Sequence, residues 1–476
     1  MKFPAGIEPL NWQTTALHKF ISSRLTNFFL LAEVGTGKTF TAISMLRHIQ
    51  DKHDNKMKIL ILCPGVVINN WKNEIKKFSF PQDFPKIYAL DNAKHRPGKM
   101  ETISNFREAC VVITNYESLD SRLFYSHLDS WKPDIIVGDE LHRIKSPKSK
   151  RAIAATKLAE YSLYNIGMTG TAILNTPMDI FMQYLFLDKG ESFGKSFFNF
   201  RRRYFYDANE SWNNKQNHFP DFRAIPEMMD DMTRKMERNT VKALKSECLD
   251  LPPFIQQTIK LKMVDEQKKA YDSMHKDFLA FIQTEGESKA AVANIALTKG
   301  LRLIQIASGF VTLDDGTTYS FKENPKIQAI DSILGEIGDE KCIIWCSYKA
   351  NYGDISRYLL DNKVPFCIVT GEQDSKEKTE AIEKFQTDPE IKVMVANRKA
   401  AGIGANLTAA AYSIVYSRNF SLEEEIQSQG RNYRNGSQVH EKITEINLIM
   451  EDSIEERVLE ALHNKQKISD IILDFN

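Results

Sequence analysis

At 476 residues the chain is too long for one compact core, and ordinary domain sizes divide it into two or three. With 42% hydrophobic and 26% charged residues and no low-complexity tract it reads as folded throughout, which excludes a disordered or fibrous protein. Lys and Arg total 63 against 62 Asp and Glu, so global charge gives no sign of a nucleic-acid partner and any basic surface is local.

The N-terminal stretch MKFPAGIEPLNWQ lacks the apolar core of a signal peptide. No apolar run approaches the roughly 20 residues that a membrane span requires, so a soluble, cytoplasmic protein with no membrane partner is expected. Six cysteines are scattered without a CxxC pair, which argues against a zinc site or disulfide framework and predicts buried free thiols.

Short apolar runs of strand length at 28–31, 59–63, 111–114, 135–137 and 164–168 alternate with amphipathic helical stretches. A second series follows Pro325, at 342–346, 366–369, 393–396, 413–416 and 443–449. Each series predicts an α/β domain with a parallel sheet covered by helices on both faces. Between the two, residues 187–238 are rich in Phe, Tyr, Arg, Asn and Met with no strand run, and 265–310 read as helices. Leu251-Pro252-Pro253 followed by alternating Ile255, Ile259, Leu261 and Met263 suggests a connection and then a strand. The expected domains are 1–250, with a helical insertion at about 187–240, and 251–476, with one at about 265–315.

Residues 32–39 place Gly35, Thr36, Gly37, Lys38 and Thr39 after a strand and before a plausible helix, the context of a phosphate-binding loop. Backbone N–H groups converge there on phosphate oxygens, Lys38 adds a mobile positive charge, and the Thr39 hydroxyl can hold magnesium. Asp139-Glu140 ends the run at 135–137: Asp139 suits the magnesium shell, and Glu140 suits orienting or deprotonating water. ATP and magnesium are the expected cofactors.

The strings Asp139-Glu140-Leu141-His142 and Met168-Thr169-Gly170-Thr171-Ala172-Ile173-Leu174-Asn175 resemble motifs II and III of Swi/Snf-type DNA translocases in helicase superfamily two. The family usually has Ala where Leu141 stands and Pro-Leu-Gln where Ala172-Ile173-Leu174 stand. The resemblance implies two tandem RecA-like lobes, with Thr169, Gly170 and Thr171 coupling hydrolysis to motion. It implies an adenine contact for Gln13, within Leu10-Asn11-Trp12-Gln13. In the second lobe Ala401-Gly402-Ile403-Gly404 resembles motif V, though a Gly-x-Gly loop read alone is as well an ordinary turn. Gln427-Ser428-Gln429-Gly430-Arg431-Asn432-Tyr433-Arg434 resembles motif VI, with the two arginines three apart on one helical face and directed to phosphates held by the first lobe. Gly402, Gly404 and Gln427 are thereby implied as nucleotide contacts.

Motifs Ia and Ib stand at Cys63-Pro64-Gly65, with Trp71 downstream, and at Thr114-Asn115-Tyr116-Glu117. The resemblance implies backbone contacts to DNA from Pro64, Asn115 and Tyr116, and from Thr370, Gly371 and Asn406 in the second lobe. The Phe residues around Arg201-Arg202-Arg203 fit either packing of the insertion or stacking on bases. Two functions follow. One is an ATP-driven DNA motor that remodels forked or branched duplex, similar to compact annealing-type and phage-encoded relatives, in which case the cytoplasm is that of the host. The other is an ATPase module whose closure an unknown protein partner reads, or a motor that strips bound protein without separating strands.

Overall fold

The computed structural model describes residues 3–84, 86–90, 108–174, 176–209, 220–284, 289–313, 315–401 and 406–472. The chain divides into two compact units, the first of Met1–Asp207, Phe222–Leu249 and Lys465–Asn476, the second of Ala208–Asp221 and Asp250–Asn464. Among the described residues no helix is long and apolar enough to cross a membrane.

The first unit contains β1 (Asn27–Ala32), β2 (Ile59–Cys63), β3 (Ile87–Ala89), β4 (Val111–Asn115), β5 (Ile135–Asp139), β6 (Tyr164–Thr169), a hairpin of β7 (Phe205–Asp207) and β8 (Phe222–Ala224), and β9 (Thr240–Ala243). Seven of these form one sheet ordered β3-β4-β2-β5-β6-β1-β9, parallel throughout. Both faces are covered, which is why the strands are continuously apolar. Phe28 and Leu30 of β1 turn to a core shared with helices Asn11–Ser22, Lys38–Lys52 and Ile68–Phe78. Phe29 and Leu31 turn to the opposite core, with helices Arg122–Trp131, Lys150–Tyr161 and Ile180–Asp188. Each such side chain contributes roughly 1.5–3 kcal/mol by leaving water.

The second unit opens with β10 (Phe254–Leu261), then helices Asp265–Thr284 and Lys289–Ala307, and a hairpin of β11 (Phe310–Thr312) and β12 (Thr318–Ser320). β13 (Cys342–Cys346), β14 (Phe366–Val369), β15 (Val393–Asn397), β16 (Tyr412–Val415) and β17 (Ile443–Met450) complete it. Its sheet runs β10-β17-β16-β13-β15-β14, again parallel throughout. The architecture is thus two tandem RecA-like lobes, each a parallel sheet flanked by helices.

Three expectations are corrected. The insertion at 187–240 is not wholly helical: it holds the β7–β8 hairpin, and its end joins the sheet as β9 beside β1. The insertion at 265–315 likewise runs into the β11–β12 hairpin. These strands are only three or four residues long, too short for a period to be read. Four cysteines are buried, but Cys248 and Cys367 are half-buried, and all six are free.

In the aromatic insertion Phe193 and Phe200 pack inward, whereas Phe198 is exposed. The ring of Phe200 lies 5.1 Å from Phe181, 5.4 Å from Phe193 and 5.2 Å from Tyr204. Arg201 caps the Phe222 ring at 4.2 Å, and Arg202 and Arg203 are exposed.

Candidate nucleotide site and its surroundings

Because the first sheet is parallel, the segments that follow β1, β5 and β6 all emerge at one end, where open α/β sheets bind ligands. After β1 the chain turns through Gly35 (φ +94°) and Gly37 (φ +89°), left-handed conformations that glycine adopts without strain. Helix Lys38–Lys52 then begins, with the N–H groups of its first turn directed at this end of the sheet. Lys38 is buried, and its ammonium donates to the carbonyl of Ala32 at 2.8 Å. Thr39 is half-buried in the same turn.

Gln13 lies buried beneath this loop. Its amide nitrogen is 3.3 Å from the carbonyls of both Thr36 and Gly37, and its oxygen accepts from the Leu10 N–H at 2.7 Å. The Trp12 indole donates to the Thr36 carbonyl as well. A Cβ at Gly37 would stand 2.4 Å from the Gln13 amide nitrogen, so any other residue here would displace the Gln13 side chain. An adenine edge meeting Gln13 would have to take over one of these bonds.

At the end of β5 the Asp139 carboxylate is 8% exposed. Burial, and then the charge of Glu140, push its pKa up to about 7 against the opposing pull of Trp71 and Lys38. The Trp71 indole donates to Asp139 Oδ2 at 2.8 Å, and the Tyr116 hydroxyl donates to the Asp139 main-chain carbonyl at 2.9 Å. Glu140 follows in a left-handed conformation (φ +50°) that is uncommon for a residue with a Cβ and recurs at functional turns. Its Oε2 is 3.1 Å from the Thr169 hydroxyl, which lies 2.8 Å from His142 Nδ1 and accepts from the Thr171 N–H at 3.1 Å. Thr169 therefore ties the end of β6 to the second carboxylate. Gly170 sits close to the same cluster: a Cβ there would lie 3.5 Å from Lys38 Nζ.

Leu141, where the family usually has Ala, is explained by its neighbours. A Cβ on Gly138 would fall 2.5 Å from Leu141 Cδ1, and one on Gly167 would fall 2.6 Å from Leu141 Cδ2. The two glycines leave room for the larger side chain. The Thr39 hydroxyl and Asp139 carboxylate are hard oxygen donors on one end of the sheet, a donor set that fits magnesium, which keeps most of its waters.

The nucleic-acid residues expected in this unit are a correction. Asn115 and Tyr116 are fully buried and Pro64 is buried, so their side chains do not offer a surface to phosphate. They sit at the ends of β2 and β4, under the helices that pack there. Exposed groups nearby include Val66, Asn69, Asn70, Asn73, Lys76, Lys77 and Glu117.

In the second unit Thr370 is buried, with its N–H bonded to Gln373 Oε1 at 2.8 Å, whereas Gly371 and Asn406 are exposed. Gly402 and Gly404 lie outside the described residues. Helix Leu422–Asn432 carries Gln427, which bonds Glu423, and Arg431, whose Nε donates to the Gln427 carbonyl at 3.1 Å. The helix ends at Asn432, so Arg434 stands in the following turn and does not share a helical face with Arg431. Tyr433 leaves helical geometry (φ −95°, ψ 81°) with its ring 4.8 Å from Phe254, and the Ser437 N–H bonds the Arg434 carbonyl.

Behind this helix lies a buried ionic network that the sequence does not announce. Arg398 and Arg418 both face Glu425, at 2.5 and 3.4 Å, and Arg418 also bonds Asn447. Burial opposes ionisation of Glu425, but the two guanidiniums outweigh it and hold its pKa down to about 2. Nearby Glu445 accepts from Gln256 and Gln429, and burial, with the Glu425 charge, holds it above the usual carboxylate range. Three consecutive glutamates, 423–425, look like a solvated first turn, and only the fold turns the third inward.

Comparison with known proteins agrees with this architecture. The SNF2-related domain matches residues 10–308 and the helicase conserved C-terminal domain matches 325–436. The chain belongs to the SNF2-related family, within superfamily-two helicases. A Bacillus subtilis protein provisionally named ATP-dependent helicase/translocase YwqA is 25% identical over 93% of this chain and 46% of its own length. Protein p41 of Acyrthosiphon pisum secondary endosymbiont phage 1, also provisionally named, is 25% identical over 98% of both chains. The chain spans less than half the length of the Bacillus protein and of several other curated relatives. The Sulfolobus solfataricus SWI2/SNF2 ATPase core in complex with dsDNA aligns at 23% identity with a TM-score of 0.42, covering 98% of this chain and 93% of that one.

Proposed function

We propose that the chain is an ATP hydrolase that moves on DNA. The observation that carries the reading is the joining of Lys38, Asp139, Glu140 and Thr169 at one end of a single parallel sheet. The N–H groups of the loop and of the first helical turn hold phosphate oxygens, and Lys38 leaves the Ala32 carbonyl to join them. Glu140 orients water and takes its proton, with its carboxylate steadied by the Thr169 hydroxyl. Thr39 and Asp139 would hold magnesium, which supplies positive charge between the phosphates when bound. Arg431 and Arg434 stabilise charge on the transferring phosphoryl group, and the hydrolysis cycle drives movement along a strand.

The track in this reading is DNA held by its backbone, with Gly371, Asn406 and the exposed loop about Val66 as contacts. Within it we favour remodelling of forked or branched duplex. Strand exchange and ATPase rate on linear, forked and four-way DNA at several salt concentrations test it. Steeper stimulation by junctions, falling with salt and indifferent to base sequence, is expected. Equal stimulation by every form discards the branch preference and keeps the translocase. No stimulation by any DNA favours a partner-driven ATPase.

A further inference from the structure

Two buried side chains from different elements end on one residue. Trp71 belongs to helix Ile68–Phe78 and is 1% exposed, and its indole N–H reaches Asp139 Oδ2 at 2.8 Å. Tyr116 follows β4, is fully buried, and its hydroxyl reaches the Asp139 carbonyl at 2.9 Å. The sheet order β4-β2-β5 means that Tyr116 spans β2 to make its contact, while Trp71 descends from the helix that follows β2. Room for it is provided locally: a Cβ on Gly138 would stand 3.1 Å from the Tyr116 hydroxyl. Each bond joins a buried donor to a buried acceptor, so neither can be given up without leaving a polar group unsatisfied.

Helix Ile68–Phe78 has two faces. Ile68, Trp71 and Ile75 are buried, while Asn69, Asn70 and Asn73 are exposed and adjoin exposed Val66 in the preceding turn. A ligand seated on that outer face bears on a rigid helix whose inner face holds the carboxylate expected to carry magnesium. The Trp71 bond engages Oδ2 of that carboxylate, which also accepts a main-chain hydrogen bond from Glu140.

We propose that Trp71 is a positioning residue that transmits occupancy of the exposed face of helix Ile68–Phe78 by a DNA backbone to Asp139, with Tyr116 fixing the main chain of the same residue. The inference rests on the motor reading above and deepens it: this contact is one route by which the track stimulates hydrolysis. Neither residue belongs to the phosphate loop at 32–39.

Trp71→Phe removes the N–H donor and keeps a ring, and Tyr116→Phe removes one hydroxyl, which guards against a fold defect in the first. Urea unfolding midpoints check both. Nucleotide affinity measured in EDTA should match the parent, because the phosphate loop is untouched. The magnesium concentration for half-maximal hydrolysis without DNA should rise about fivefold or more in Trp71→Phe, and linear duplex DNA should stimulate it at least fivefold less than the parent. With magnesium and nucleotide omitted, DNA should alter tryptophan emission of the parent, and the change should be absent from Trp71→Phe.

A folded Trp71→Phe variant with parental magnesium requirement and parental DNA stimulation overturns the inference while leaving the motor intact. A parent enzyme that hydrolyses ATP but ignores DNA overturns the motor reading and the transmission together, and the magnesium midpoint of the variant then reports on positioning alone. Emission of Trp71 unmoved by DNA that is demonstrably bound also contradicts the inference.

Discussion

Side chains around β5 are set so closely that single methyl groups should be measurable. Gly167→Ala would bring a Cβ to 2.6 Å from Leu141 and 3.0 Å from both Leu187 and Phe29, a contact that overpacked cores relieve at about 1–3 kcal/mol. Leu141→Ala, conversely, opens a cavity and should cost about 2–5 kcal/mol. Because the two changes act on the same space, the double variant should be more stable than the sum of the singles implies, which urea denaturation of all four proteins will read. At the reacting centre, Lys38→Ala and Glu140→Gln should each abolish ATP hydrolysis, and Glu140→Gln should retain ATP binding, since it alters the water-orienting group and leaves the phosphate loop whole. Equilibrium nucleotide binding beside steady-state turnover separates the two variants. At this scale the phosphate loop and the acid pair were legible because their chemistry demands particular residue types at short spacing after a strand. Trp71 was visible only as a landmark and Tyr116 only as an expected DNA contact: their bonds to Asp139 span 68 and 23 positions, and no local pattern records that.

Among the elements, helix Leu422–Asn432 is anchored by ions rather than by apolar packing alone. Glu425 is held down to about 2 in the fold, against an ordinary value of 4.5, by Arg398 and Arg418 once the cost of burial is overcome. A folded pKa below the unfolded one means that this contribution is complete above about pH 4.5 and is lost as pH falls toward 2. Acid unfolding followed by circular dichroism should therefore show a loss of stability in that window, and Glu425→Gln should remove that part of the slope. The same substitution should cost about 3–5 kcal/mol at neutral pH, since it strands two buried guanidiniums. The strand runs were legible in the sequence because they are largely apolar, as a sheet covered on both faces needs. β9 was not, because Thr240-Val241-Lys242-Ala243 is a short edge strand of mixed polarity that borrows its identity from β1. Arg434 was placed on a helix for a related reason: a three-residue spacing says nothing of where a helix stops, and Tyr433 leaves it to meet Phe254.

On the scale of the whole molecule, two parallel sheets of similar plan follow one another in a single chain, and hydrolysis in the proposed cycle needs groups from each. Arg431→Ala and Arg434→Ala should slow hydrolysis about tenfold or more with little change in nucleotide affinity, because a guanidinium of this kind acts mainly on the transition state. Equal losses in binding and turnover would assign these residues to folding instead. The two-lobed plan was readable from the repeated alternation of strand and helix, whereas the track was not, since balanced charge hides any local groove. The most direct test of the account is the steady-state ATPase rate of the purified chain with and without plain linear duplex DNA, alongside Glu140→Gln as the control for contaminating activity. The account predicts magnesium-dependent hydrolysis that rises on adding DNA and vanishes in the variant. Hydrolysis that persists in Glu140→Gln, or a parent rate that DNA leaves unchanged, would contradict it.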